Sequence, residues 1–196
     1  MNADLAKRLI EMQNLDLSVR TRLAADKSLY DGYHPEMQAV HEKNAAALSE
    51  IIDKYGWPGV GMVGEKSSEA AWLIAQHAIG LPEFQRECLA HLKAAAEKGE
   101  VPKWQQAYML DRILCFEGSE QLYGTQFDWD ENGVLSPKPI EDEKNVDQRR
   151  ADVGLPPLSE AIQRIRTENK HETKPQDWKQ RQKQADQWAK KVGWRK

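Results

Sequence analysis

Apolar residues recur at the spacing of an α-helix along most of the chain. The first such segment runs from Asn2 to about Asp26, and the second from Pro35 to about Tyr55. This periodicity predicts amphipathic helices. Three more helices are predicted between a proline or serine start and a glycine stop, which suit the two ends of a helix. The first runs from Ser67 to Gly80. The second runs from Pro82 to about Lys98, before Gly99, and the third from Pro102 to about Glu117, before Gly118.

Two stretches depart from this regular pattern. The apolar spacing is imperfect from Leu15 to Val19, which predicts an irregularity in the first helix. The stretch from Gly56 to Gly64 holds four of the chain's 12 glycines and predicts a loop. Ser67 and Ser68 follow this loop and are predicted to cap the next helix, because serine accepts hydrogen bonds from free N–H groups there.

The pattern changes after residue 121, where aromatic and β-branched residues flank an Asn-Gly pair that is typical of a β-hairpin. Two strands and two helices are predicted: Tyr123 to Trp129, Val134 to Pro137, Asp142 to Asp152 and Leu158 to Glu168. A single hairpin is marginal alone and must rest on the helices. The expected fold class is mainly α, a helical bundle with one small β-hairpin near residues 123–137.

Composition narrows the class of protein. The chain has 196 residues, a net charge of −3 and 40% hydrophobic residues, enough for one core. It has no apolar run of the roughly 18 residues that a membrane span needs, and no signal-peptide pattern at its start. Two cysteines are too few for a disulfide framework or a zinc site built on CxxC pairs. We therefore expect a cytoplasmic protein with no membrane span.

Charge is unevenly distributed along the chain. Residues 167–196 carry nine Lys/Arg and four Asp/Glu, a net charge of +5, which leaves −8 on the first 166 residues. Trp178, Trp188 and Trp194 are interleaved with these basic residues. We predict a helical domain over 1–166 and a basic C-terminal helix or tail over 167–196. The tail is expected to dock on the acidic body or on a partner, and that acidic body argues against nucleic acid as the main partner.

His77 is the first candidate for chemistry. It lines up at helical spacing with Leu73 and Ile74, so we expect it on the apolar side of its helix. Imidazole exchanges a proton near neutral pH, which suits a general acid or base. The alternative is a core histidine with a satisfied hydrogen bond. Gln76 adds a donor and an acceptor on another face and is a candidate for substrate binding.

Asp111 and Arg112 are adjacent charges in a helix that is apolar on nearly every face. Burying an unpaired charge costs several kcal/mol, so each residue needs a partner. Asp111 is expected to orient His77 or to accept a proton. Arg112 is expected to bind a carboxylate or phosphate, which guanidinium groups can do through two hydrogen bonds. The alternative is a structural network in which both charges pair with other side chains or with loop backbone.

Three polar side chains enter the predicted hairpin together. Tyr123 is a candidate catalytic residue, and Thr125 and Gln126 are candidates for substrate binding. Along a strand, Tyr123 and Thr125 would face one way and Gln126 the other. The same cluster would equally suit docking of the hairpin onto the helices through hydrogen bonds.

Two arginines follow the hairpin in its short helix. Arg149 and Arg150 would form an anion-binding pocket with Arg112 if the three converge. The alternative is a solvated helix face.

No established metal, nucleotide or nucleophile motif is present, so we expect neither a cofactor nor a metal ion. His34 and His41 are seven positions apart and would share a helix face only if His34 were helical, which Pro35 disfavours. A metal site made by these histidines with Glu42 or Asp31 is therefore only weakly supported.

Five motifs in fixed order carry a family resemblance. They are KYGWPG, QHA followed by FQ, DR in a late helix, YGTQ, and RR followed by GLPPL. Together they resemble a bacterial family of helical domains of unknown function, over about Asn44 to Arg166. The resemblance implies a shared helical fold and a shared site, without a reaction. It places the N-terminal helix and the basic tail outside the family.

Two functions follow from these residues. The first is a small helical bacterial enzyme, expected to be a hydrolase, that acts on a polar or anionic small molecule or peptide. In it, His77, Asp111, Arg112 and Tyr123 are the catalytic cluster. The second is a non-catalytic binding or interaction module of the immunity type, in which the same residues form a structural polar network.

Overall fold

A computed structural model of the chain describes residues 1–26, 28–30, 32–171 and 177–196. Most of these residues are helical, which confirms the predicted mainly α class. Contacts group the chain into two compact units, residues 1–101 and residues 102–196. The boundary predicted at residue 166 stays a prediction. Within the described residues, every helix is too short or too polar to cross a membrane.

The core of the first unit lies where three of its helices pack against one another. Its helices are α1 (Ala3–Ala25), α2 (Pro35–Tyr55), α3 (Val60–Val63), α4 (Glu65–His77) and α5 (Pro82–Glu97). Helix α1 packs on α2 and α4, and α2 also packs on α4. The fully buried side chains of the unit include Leu9, Met37, Leu48, Ile51, Ile74 and Leu92. Each contributes about 1.5–3 kcal/mol by leaving water, so these apolar contacts fix how the three helices meet.

Helix α1 runs without a break through the stretch where an irregularity was predicted. Leu15 and Leu17 are exposed, while Asp16 between them is fully buried. The predicted irregularity was wrong because the buried stripe of the helix, which includes Leu9 and Leu23, passes through a polar residue. The helix stays regular and turns a carboxylate inwards.

The predicted loop from Gly56 to Gly64 contains the short helix α3. Helix α4 begins directly after Gly64, whose φ of 80° lies in the region that favours glycine. The predicted caps Ser67 and Ser68 therefore lie inside the helix, and both are buried. The helix ends at His77, before its predicted stop, so this histidine lies at a helix C-terminus.

The second unit combines four helices of the described chain with the hairpin. Its elements are α6 (Lys103–Glu117), β1 (Phe127–Trp129), β2 (Leu135–Pro137), α7 (Val146–Asp152), α8 (Leu158–Glu168) and α9 (Trp178–Lys191). The strands are antiparallel, with Phe127 opposite Pro137 and Trp129 opposite Leu135. The predicted hairpin is present but shorter, because residues 123–126 form a loop.

Helix α9 and the residues after it pack against the rest of the second unit through three tryptophans. The rings of Trp188 and Trp194 lie 5.4 and 5.2 Å from the ring of Phe116. Trp178 donates a hydrogen bond from its indole N–H to the carbonyl of Trp129 at 2.9 Å. The apolar face of the predicted amphipathic helix is therefore used in packing within the chain.

A glycine test follows from the loop before the hairpin. At Gly124, φ is 65°, and an added Cβ would lie 2.8 Å from Leu158 Cδ1 and 2.9 Å from Ile140 Cδ1. Gly154 has a similar φ of 78° but open space around it. We expect Gly124→Ala to lower the free energy of unfolding by about 1–3 kcal/mol more than Gly154→Ala, because only the former adds overpacking. Urea unfolding measures the difference, and equal losses would contradict this account.

Candidate functional site

Three ionisable side chains from three different helices meet inside the first unit. Asp16 comes from the middle of α1, His41 from α2 and His77 from the last position of α4. Because these helices pack against one another, residues far apart in sequence are brought into contact. We call Asp16, His41 and His77 the Asp–His cluster.

The carboxylate of Asp16 lies between the two imidazoles. His77 Nδ1 is 2.9 Å from Oδ1 and 3.0 Å from Oδ2 of Asp16. His41 Nε2 is 3.4 Å from Oδ2 of the same group. The exposed fractions of the side chains are 1% for Asp16, 8% for His41 and 20% for His77. The cluster is therefore buried at its centre and reaches solvent on the His77 side.

Burial and hydrogen bonding act in opposite directions on Asp16. Burial raises the pKa of this carboxyl, but the nearby His41 ring, the hydrogen bond with His77 and the charges of both rings lower it. The interactions with the two rings prevail, and they hold the pKa of Asp16 well below its usual range. The carboxylate is consequently ionised, and it is the fixed negative charge around which the imidazoles are arranged.

Tyr33 supports the cluster from the side of His41. Its hydroxyl forms a 2.8 Å hydrogen bond with His41 Nδ1, and the two rings stack 5.7 Å apart. Burial raises the pKa of Tyr33, and the charges of Glu42 and Asp16 raise it further, so the phenol stays neutral. The ring of Tyr33 packs closely against Gly80, where an added Cβ would lie 3.2 Å from Cε1. The hydrogen bond between the Tyr33 hydroxyl and His41 Nδ1 fixes the orientation of the His41 ring.

The Asp–His cluster also contains the atoms that could hold a metal ion. One ligand atom from each of the three residues lies within 4.8 Å of the others. Imidazole nitrogens and carboxylate oxygens are the usual protein ligands of zinc, apart from cysteine. The donor atoms beside His41 are therefore not those of His34, Glu42 or Asp31, the residues considered with it in the sequence. His34 instead accepts a hydrogen bond from the N–H of Glu36 at the start of α2, and Asp31 lies outside the described residues.

Asp111 was expected to orient His77, and the structure gives it another role. Its carboxylate is fully buried and accepts hydrogen bonds from the backbone N–H groups of Leu122, Tyr123 and Thr125, and from the Thr125 hydroxyl. Burial raises the pKa of Asp111, and these hydrogen bonds oppose that rise. Asp111 therefore anchors the loop before the hairpin, and the carboxylate that meets His77 is that of Asp16.

The arginines expected to form an anion pocket bind backbone carbonyl groups. Arg149 donates from Nε to the carbonyl of Leu122 at 2.8 Å and from Nη2 to that of Glu141 at 2.6 Å. Arg150 is buried and donates from Nε to Pro156 O at 2.6 Å and from Nη1 to Tyr123 O at 2.5 Å. These N–H groups thus donate to the backbone in the structure, and anion binding by Arg149 and Arg150 stays a prediction.

The remaining candidates fall in both units. Arg112 is partly buried in α6. Thr125 is buried, and its hydroxyl accepts a 3.1 Å hydrogen bond from the Gln126 side chain. The predicted alternation of Tyr123, Thr125 and Gln126 along a strand was wrong, because they form part of the loop around Asp111. Gln76 is buried in the first unit, and its backbone carbonyl accepts a hydrogen bond from a neighbouring glutamine side chain at 3.0 Å.

Two residues of the cluster were not predicted from the sequence as partners of His77. Asp16 occupies a position of the α1 stripe where an apolar residue was expected, in register with Leu9 and Leu23. His41 occupies the corresponding place in α2, in register with Met37 and Leu48. A polar residue inside each apolar stripe was the available signal, since such a residue must find a partner when it is buried.

A family model matches residues 3–172 of the chain, under the description "Family of unknown function (DUF6624)". The match extends beyond the predicted limits and includes α1, which corrects the expectation that this helix lies outside the family. All three residues of the Asp–His cluster fall within it. Searches of curated proteins and of solved structures found no match. The function has to be argued from the geometry.

A stability test separates the structural role of Asp111 from a catalytic one. We expect Asp111→Ala to lower the free energy of unfolding by about 3 kcal/mol or more, since it leaves three backbone N–H groups without their acceptor. Asp130 is the matched control, because it accepts hydrogen bonds from the backbone N–H groups of Asn132 and Val134 but is only partly buried. Asp130→Ala should cost much less, because water replaces the carboxylate. Similar losses in chemical denaturation would contradict the assignment.

Proposed function

The chain belongs to a family of unknown function, DUF6624, and we propose from the geometry of its Asp–His cluster that it is a small hydrolytic enzyme. The cluster activates a water molecule for attack on a polar small molecule or peptide. One observation carries the proposal: two imidazoles share a buried carboxylate, and one of them reaches solvent.

The chemistry requires a group that takes a proton from water. Imidazole is the side chain best suited to this near neutral pH, and a hydrogen-bonded carboxylate holds it in one orientation. Asp16 supplies that carboxylate to His77 through Nδ1. The carboxylate also stabilises positive charge on the ring when the proton arrives. His77 thus keeps the catalytic role predicted for it, with Asp16 instead of Asp111 as its positioning residue.

The surroundings of the Asp–His cluster indicate how a substrate would reach it and whether that substrate needs a negative charge. His77 is the most exposed residue of the cluster, so the scissile group has to approach from the His77 side. An anionic group was expected in the substrate because three arginines were expected to converge. Arg149 and Arg150 are instead bound to backbone carbonyls, which removes the support for that preference. The proposal therefore keeps a polar small molecule or peptide and omits the requirement for negative charge.

The second candidate function is a non-catalytic binding module. It is favoured by the second unit, where Asp111, Arg149 and Arg150 form hydrogen bonds with backbone groups, as in the structural network that this alternative predicts.

A cytoplasmic location and a bacterial origin of the protein stay predictions. Both cysteines are free thiols, as this location would require.

A hydrolase panel tests the proposed function. Purified wild-type protein is assayed with p-nitrophenyl acetate, p-nitrophenyl phosphate and leucine p-nitroanilide, beside His77→Gln and His91→Gln. His91 is an exposed histidine of α5 and serves as the matched control. We expect wild type and His91→Gln to hydrolyse one class of substrate equally. His77→Gln should be about 100-fold slower or worse, as is usual when a general base is lost.

The contradicting result is equally specific. If folded His77→Gln matches wild type on every substrate, the cluster does not activate water and the binding module becomes the better account. Circular dichroism confirms that each variant is folded before its rates are compared.

A further inference from the structure

We infer that the Asp–His cluster binds one divalent transition-metal ion, with Asp16, His41 and His77 as its protein ligands. The inference rests on the proposed function and on the same site, but it changes the role of His77: with an ion bound, His77 is a ligand through Nδ1, and the ion takes over the activation of water. It also stands on geometry that does not require hydrolysis.

The donor set selects the class of metal ion. Two imidazole nitrogens and one carboxylate oxygen are the protein ligands of catalytic zinc sites that keep a further position open. The same three donors bind iron in non-haem iron enzymes. Calcium and magnesium prefer sites made only of oxygen ligands. We therefore expect zinc, cobalt or ferrous iron at Asp16, His41 and His77, and not an alkaline-earth ion.

The distances between the donor atoms suit an ion at their centre. Tetrahedral coordination with bonds of about 2.0–2.1 Å places neighbouring ligand atoms roughly 3.3–3.4 Å apart. His41 Nε2 is 3.4 Å from Asp16 Oδ2, and His77 Nδ1 is 2.9 Å from Asp16 Oδ1. Both distances to the carboxylate are therefore close to this spacing, and the two nitrogens lie within 4.8 Å of each other. All three ligands are held by packed helices, which keeps these distances short without an ion.

His41 provides an independent observation. Its Nε2 atom is buried and makes no hydrogen bond within the described residues. The nearest acceptor, Asp16 Oδ2 at 3.4 Å, is too distant for a good hydrogen bond. Buried polar atoms are normally satisfied, so an exception that is aimed at a carboxylate and a second imidazole needs an explanation. A metal ion bound to Nε2 satisfies it.

Tyr33 completes this arrangement on the other side of the ring. Metal-binding histidines usually hydrogen-bond through their second nitrogen, which fixes the tautomer and orients the ligand atom. Tyr33 makes that bond to His41 Nδ1 at 2.8 Å, so Nε2 is left to face Asp16. The phenol is thus an outer-shell group of the proposed site.

Three protein ligands leave a coordination position for water. The exposed edge of His77 provides the side from which water and substrate would approach. A bound zinc ion supplies Lewis acidity, which lowers the pKa of a coordinated water towards neutrality.

Metal titration of the full chain tests the inference. The protein is treated with EDTA, dialysed and titrated with Co²⁺, whose visible absorption reports its coordination. We expect one Co²⁺ per chain, displaced by Zn²⁺, and a higher unfolding temperature with Zn²⁺. Tyr33→Phe should weaken binding about 10- to 100-fold, as loss of an outer-shell partner does. His41→Gln and His77→Gln should weaken it further, and His91→Gln should bind as wild type does.

The outcomes separate this inference from the proposed function. Absence of stoichiometric Co²⁺ binding by the wild type overturns the inference, and so does equal affinity in His77→Gln. Hydrolysis that needs His77 but survives EDTA overturns the inference and leaves the proposed function intact. Stoichiometric, His77-dependent metal binding without any hydrolysis supports the inference and counts against the proposed function. Because Tyr33→Phe removes no ligand, it remains informative if a ligand variant does not fold.

Discussion

The first unit depends on one interaction, the sharing of the buried Asp16 carboxylate by His41 and His77. A carboxylate without partners cannot remain ionised inside an apolar core, because the loss of hydration is too costly. The two imidazoles offset that cost, and each comes from a different helix. Apolar packing brings α1, α2 and α4 together, while this charge decides which residues of the three helices have to face each other.

The second unit also contains a fully buried carboxylate, and the comparison explains why only one of the two is a candidate site. Asp111 is surrounded by backbone N–H groups and a threonine hydroxyl, which are neither protonated nor ionised near neutral pH. Its bonds are also needed to hold the loop in place. Asp16 is partnered by imidazoles, which can exchange a proton or bind a metal ion. The chemistry of the partners therefore distinguishes an anchor from a site.

The same comparison shows how far the sequence could predict this molecule. The helices could be predicted from the spacing of apolar residues and from the residues at the helix ends, and the hairpin from Asn132-Gly133. These signals are local properties of the sequence. Membership of a helical family of unknown function could also be predicted from ordered motifs. His77 was placed in an apolar setting, but its partner was not found. Which carboxylate reaches it depends on the packing of α1 against α4, which local patterns do not specify.

At residue 16, packing alone would favour an apolar residue, whereas a chemical function would favour an aspartate. A leucine there would continue the stripe of Leu9 and Leu23, and apolar replacements of buried ion pairs are often neutral or stabilising. The stripe therefore does not require an aspartate for its packing. The second unit has a structural reason for its buried charge, because a loop folds around Asp111. In the part of the first unit that the structure describes, the Asp16 carboxylate contacts two imidazoles, which can carry a proton or bind a metal ion, and this is the argument for the chemical role that we propose.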